Sequence, residues 1–157
     1  MKRKVLTLLL SIVIGVTSIL SWNMNVKAEG EGEDIAMSEL MTDSALIGYA
    51  QNQTWGVYFS DGYSIINKIS STKIGAGGVT NASVKCTVKV TAIVEKKLAS
   101  GSWARVTSWS QTNTNAYSAM ASKSLVVASN YYYRVRCYHY ASTDSATSYT
   151  GALWVGN

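Results

Sequence analysis

The groups able to do chemistry in this chain are few, and they gather on one short stretch. The only histidine, His139, stands two residues from Cys137 within YYYRVRCYHYA at 131–141. In an extended strand the imidazole and the thiol therefore share a face. Such a pair acts as base and nucleophile when a third group orients the imidazole. No acid or amide is spaced to do so. Glu95 and Asp144 are the only carboxylates after Asp61, and nothing in their spacing sets them beside each other for paired-carboxylate chemistry. His139 reads as a strand histidine on the core side, and no catalytic residue is assigned. One histidine and two cysteines make no cluster for zinc, and nine scattered acids make no calcium cage, so neither metal nor cofactor is expected. Gly75-Ala76-Gly77-Gly78 has the glycine content of a phosphate-cradling loop but lacks a following Lys-Ser/Thr, and it reads as a turn.

The other face of the same stretch carries Tyr132, Arg134, Arg136, Tyr138 and Tyr140. Rings and guanidinium groups at alternate positions form a stripe able to stack on sugar rings and to pair with phosphate or carboxylate. Trp103 and Trp109, in WARVTSWS at 103–110, fall on one side of their own strand and offer a second sugar platform. Each pattern has a plainer meaning. Tyr and Arg suit the solvated face of any sheet, and tryptophan is common core material. As a binding surface the stripe suits a cell-wall glycan, an anionic polymer of teichoic type or a host glycoprotein. The same charges attract nucleic acid, which is not expected as the partner of an exported chain.

Strands must position these residues. In VKCTVKVTAIVE at 84–95, Val84, Cys86, Val88, Val90, Ala92 and Val94 fall on one face, and Lys85, Thr87, Lys89, Thr91 and Glu95 on the other. A turn at 96–102 returns the chain along 103–110, predicting a hairpin. Further strands are expected near 115–121, 123–128, 131–141 and 148–155, with one or two more near 55–69. Breaks are expected at Asp61-Gly62, Gly75 to Gly78, Gly101-Ser102 and Ser142 to Ala146. Seven or eight short strands without a helical period predict an all-β antiparallel β-sandwich.

Cys86 and Cys137, with tryptophan between them in sequence, follow the order in which immunoglobulin-type sandwiches bridge their two sheets. A disulfide is the expected state in an exported chain, worth about 4 kcal/mol for a loop of this length. Two buried free thiols are the other reading. Tyr133-Arg134-Val135-Arg136-Cys137 resembles the sixth-strand signature of fibronectin type III domains. Val135 stands where the usual tyrosine corner would, so that corner would come from Tyr133 or be absent. More closely, GYSIINKIS, KIGAGGVTNAS, SGSWARVTSWS, YYYRVRCYHYAS and SYTGALWV, in this order over 63–155, resemble the DUF6147 family of small secreted bacterial proteins. That resemblance implies no defined activity and no catalytic residues.

At the N-terminus, Lys2, Arg3 and Lys4 precede an apolar run from Val5 to Leu20, and Ala28 closes a polar stretch. Residues 1–28 read as a cleaved secretory signal helix, shorter than a membrane span, with release from a bacterial, Gram-positive cell expected. The whole chain of 157 residues carries 14 bases against 9 acids, a net +5, with 47% hydrophobic residues and no proline. Those values exclude a collagen-like, Pro-rich or wholly disordered chain. Losing four bases with the signal leaves a net +1, split between seven acids and no base over 29–61 and ten bases against two acids over 62–157. Residues 29–54 read as an acidic flexible arm and 55–157 as the β domain. The function expected is a secreted, non-catalytic binding or adhesion module for an extracellular polymer. The alternative is a small secreted toxin or antimicrobial effector whose acidic arm is a pro-region.

Overall fold

The computed structural model describes residues 28–51 and 56–157. The expected signal over 1–28 lies outside the described residues except for Ala28. The strands are β1 (Gly32–Asp34), β2 (Leu46–Tyr49), β3 (Phe59–Ser70), β4 (Lys73–Lys97), β5 (Trp103–Val126), β6 (Tyr131–Ala141), β7 (Asp144–Tyr149) and β8 (Leu153–Val155); a single turn of helix, α1 (Met37–Leu40), precedes β2. The protein is all-β, and hydrogen bonding joins the eight strands into one antiparallel sheet.

β4 and β5 organise that sheet because both are long enough to serve two neighbourhoods. The first part of β4, from Lys73 to Ala82, pairs with β3, and the part from Val88 onward pairs with β6. β5 follows β4 through both parts. Register shifts between Asn81 and Val88, opposite Asn115 with its φ of +50°, divide the sheet into a first limb (β1, β2, β3 and adjoining β4 and β5) and a second limb (β6, β7, β8 and the rest). One hydrophobic cluster unites them, bringing Ile66, Ile74 and Ala76 of the first limb together with Val90, Val94 and Val135 of the second. The ends of β2 and β7 also meet, at one bridge between Gln51 and Thr147.

The hairpin of β4 and β5 turns at Gly101, whose φ of +84° suits glycine alone, and β6 has the expected bounds. The segment Gly75 to Gly78 departs from expectation: it lies inside β4, buried on both faces, rather than in a turn. A Cβ at Gly75 would meet the Leu40 side chain of α1, and one at Gly78 would meet the Cys137 sulfur of β6. Glycine is there because side chains from two layers close on the strand. Asp61-Gly62 is likewise within β3, the expected strands near 115–121 and 123–128 are parts of β5, and 148–155 splits into the end of β7 and β8.

The acidic segment, over its described residues, folds onto the domain. β1 pairs with β5 from Gly32 opposite Leu125 to Asp34 opposite Lys123, and β2 pairs with β3. Between them Leu40 is fully buried. Glu29 anchors the start, accepting from Lys96 Nζ at 3.0 Å, and Asp34 pairs with Lys123 at 3.0 Å. A few apolar side chains and two ion pairs suffice to bind a segment that lacks the hydrophobicity to fold alone.

The expected disulfide is also corrected. Cys86 and Cys137 are both free. Cys137 pairs with Ala92, six residues along β4 from Cys86, which is opposite Ala116 of β5. Six strand residues span about 20 Å, far beyond the reach of a disulfide. Cys137 is buried and its thiol faces Gly77 O at 3.5 Å; Cys86 is half-exposed.

Candidate binding face

Alternation in the second limb assigns each side chain to one of two faces. Val88, Val90, Ala92 and Val94 of β4, with Tyr133, Val135, Cys137 and His139 of β6, point inward and are buried. The residues between them point outward. Across the ladder, Glu95 stands between Arg105 of β5 and Arg134 of β6, Thr91 beside Tyr138, and Lys89 beside Tyr140. β7 adds Tyr149 opposite Arg136, and β8 adds Trp154 opposite Tyr132. The stripe of Tyr132, Arg134, Arg136, Tyr138 and Tyr140 is therefore on one surface, as the two-residue period predicts.

The centre of that surface is a fixed lattice. Glu95 is only 5% exposed, accepting from Arg134 Nε at 2.7 Å and from Arg136 Nη2 at 2.9 Å. The Arg134 guanidinium stacks on Trp103 at 4.4 Å and on Tyr149 at 5.1 Å. Arg136 lies 5.1 Å from the Tyr138 ring, and its Nη1 donates to the Tyr138 hydroxyl at 2.8 Å. The rings of Tyr132 and Trp154 pack at 5.0 Å. The two arginines thus brace the aromatic side chains, with their charge already shared by one carboxylate. That differs from the anion hooks the sequence suggests.

The tryptophans separate. Arg105 pairs with Glu95 but Thr107 pairs with Val94, so Val106 is an extra residue on β5 and the alternation flips there. Trp103 stays outward over Arg134. Trp109, opposite Ala92, turns to the core, and its buried indole N–H meets no acceptor among the described residues. Glu95, Tyr149 and Trp154 are the members that sequence reasoning missed. Glu95 was legible as an outward acid on 84–95, but its partners follow only once β6 is placed on the other side of β4 from β5.

A family model described as a family of unknown function, DUF6147, matches residues 38–153. The chain belongs to DUF6147. No curated protein and no solved structure matches it. In this DUF6147 protein the match covers β2 through β7 and all of the lattice residues except Trp154.

The inward face of the DUF6147 sheet accounts for its remaining reactive groups. His139 is 1% exposed, with Nδ1 2.8 Å from Thr80 Oγ1 and Nε2 2.8 Å from Ser148 Oγ. Burial lowers its pKa to about 4, against a smaller opposing pull from Asp61. Burial likewise pushes the Cys137 thiol well above its usual range, so the pair that shares a strand face is a neutral imidazole beside a protonated thiol. The Tyr133 hydroxyl proton is shared between Ala128 O at 2.8 Å and Glu29 Oε1 at 3.0 Å. Burial and the Glu29 charge raise the Tyr133 pKa. Glu29 itself loses solvation there, but hydrogen bonds from Lys96 and Tyr133 outweigh that loss and hold its carboxyl below the usual value.

Proposed function

We propose that this protein is a secreted, non-catalytic module that binds an extracellular polymer such as a cell-wall glycan through the outer face of its second limb. One observation carries the reading: Tyr132, Tyr138, Tyr140, Tyr149 and Trp154 all project from a single sheet surface, each between 41% and 47% exposed. Sheets tolerate scattered surface rings, but five on one face form an apolar patch of the kind that marks interaction sites. Rings held by neighbours, as Tyr138 and Tyr149 are by arginines and Tyr132 by Trp154, lose little side-chain entropy when a sugar stacks on them. In this reading residues 1–28 export the chain, and the two limbs act as the layers of an immunoglobulin-like sandwich that displays the face.

Co-sedimentation of the purified protein with bacterial cell wall and with insoluble polysaccharides tests this. Retention is expected to fall at least tenfold in the combined Tyr138→Ala, Tyr140→Ala variant while its far-UV circular dichroism stays native. No retention on any polymer, or retention indifferent to these tyrosines, would overturn it.

A further inference from the structure

The two ends of the outer face repeat one arrangement. At one end Tyr138 and Tyr140 stand beside Lys89 and Thr91 around a groove of about 420 Å³. At the other, Tyr132 and Trp154 stand beside Lys97 around a groove of about 250 Å³. Each groove thus combines a pair of outward aromatic side chains with one lysine, and Tyr131 adds a third ring to the second. Neither lysine has an ion pair among the described residues. Among the described residues the only acid on the intervening surface is Glu95, which is committed to Arg134 and Arg136. Of the acids of the N-terminal segment, Glu29 pairs with Lys96 and Asp34 with Lys123, and no ion pair among the described residues joins one to Lys89 or Lys97. Lys89 and Lys97 are eight residues apart on β4, about 26 Å along an extended strand.

We propose, resting on the polymer-binding reading above, that this face holds one acidic polysaccharide, a chain of sugar rings bearing carboxylates, gripped at both grooves. The rings of the ligand stack on the aromatic pairs, and its carboxylates meet the lysines. A neutral glycan would leave both lysine charges unused. A phosphodiester polymer without sugar rings would leave the aromatic pairs unused. The distance between grooves selects length: once one groove is filled, the second contact is intramolecular and raises affinity without any further contact type. A fragment too short to span them loses that gain.

Titration calorimetry at low salt with polygalacturonate, its fully methyl-esterified form and a galacturonate trimer tests the proposal. Polygalacturonate is expected to bind at least tenfold more tightly than either the ester or the trimer. Lys89→Gln and Lys97→Gln are each expected to weaken it about tenfold; both positions are solvent-facing, so the fold should survive. No binding to polygalacturonate, binding of the ester or the trimer as tight as that of polygalacturonate, or tighter binding of single-stranded DNA would overturn the proposal. Among these results, tight binding of the neutral ester that still depends on Tyr138 and Tyr140 would leave the polymer-binding reading standing and remove only the acidic, two-groove inference; binding indifferent to those tyrosines would remove both.

Discussion

His139 is the residue at which burial most directly sets behaviour in solution. In the native protein its pKa is about 4, against 6.5 for the free side chain. Between those values the unfolded chain binds a proton that the native one does not, so stability falls as pH is lowered from 6.5 to 4, by about 3 kcal/mol in all. Urea midpoints measured across that window should drop accordingly, and His139→Gln should flatten the slope; an unchanged slope would mean another group titrates there. The cysteines give a second residue-scale check. With Cys137 buried and Cys86 half-exposed, a thiol-reactive dye should label one site in the native protein and two after denaturation, whereas a disulfide would give none in either state. Why that bond was expected is instructive. Alternation on 84–95 and 131–141 correctly makes Cys137 inward, but pairing two cysteines requires the register between strands. Here the register follows from the shifts between Asn81 and Val88, which no residue type in that stretch announces.

At the scale of elements, β6 is held to β4 by more than ladder hydrogen bonds. Glu95 bridges two guanidinium groups that flank each other on β6, and removing it leaves two half-buried like charges side by side. Breaking such a buried arrangement is strongly destabilising. Glu95→Ala is expected to cost about 3 kcal/mol in chemical denaturation, where surface substitutions such as Lys89→Gln stay within about 0.5 kcal/mol; a cost near that of the lysine would show the lattice to be ornamental to stability. The strands of this limb were readable because each has one dry face and one wet face, which is the pattern a two-residue period detects. The first limb was readable only in part: β3 and the end of β5 were expected as strands, but β1, β2 and the first part of β4 were not. From Ile74 to Thr80 β4 is buried on both faces, with α1 over one and β6 over the other, and the glycines that permit this approach also mimic a turn. β1 and β2 escaped notice for a related reason: they add only edge pairing, with a single fully buried leucine in α1 between them, to a composition dominated by acids.

Over the whole molecule, the shared strands couple the remote limb to the binding face. β4 and β5, of 25 and 24 residues, each run through both limbs, and the core cluster passes from Ile66 and Ile74 to Val135 without a break. Neither limb can open while the other stays native unless both long strands break hydrogen bonds near Asn81 to Val88 and the cluster is split. The protein should therefore unfold in one transition. Trp103, Trp109 and Trp154, the tryptophans among the described residues, all belong to the second limb, so with Trp22 and Trp55 replaced by Phe the fluorescence reports that limb, whereas far-UV circular dichroism reports every strand. Ile66→Ala, a cavity in the first limb, should lower stability by about 2–5 kcal/mol, and should move the fluorescence and dichroism midpoints together. Val135→Ala, made on the opposite side of the same cluster, should also move both. If Ile66→Ala shifted dichroism while leaving the tryptophan transition in place, the limbs would be separate cooperative units. The outer face of β4, β6, β7 and β8 would then not depend on the first limb, and its aromatic lattice would have to be held by the second limb alone.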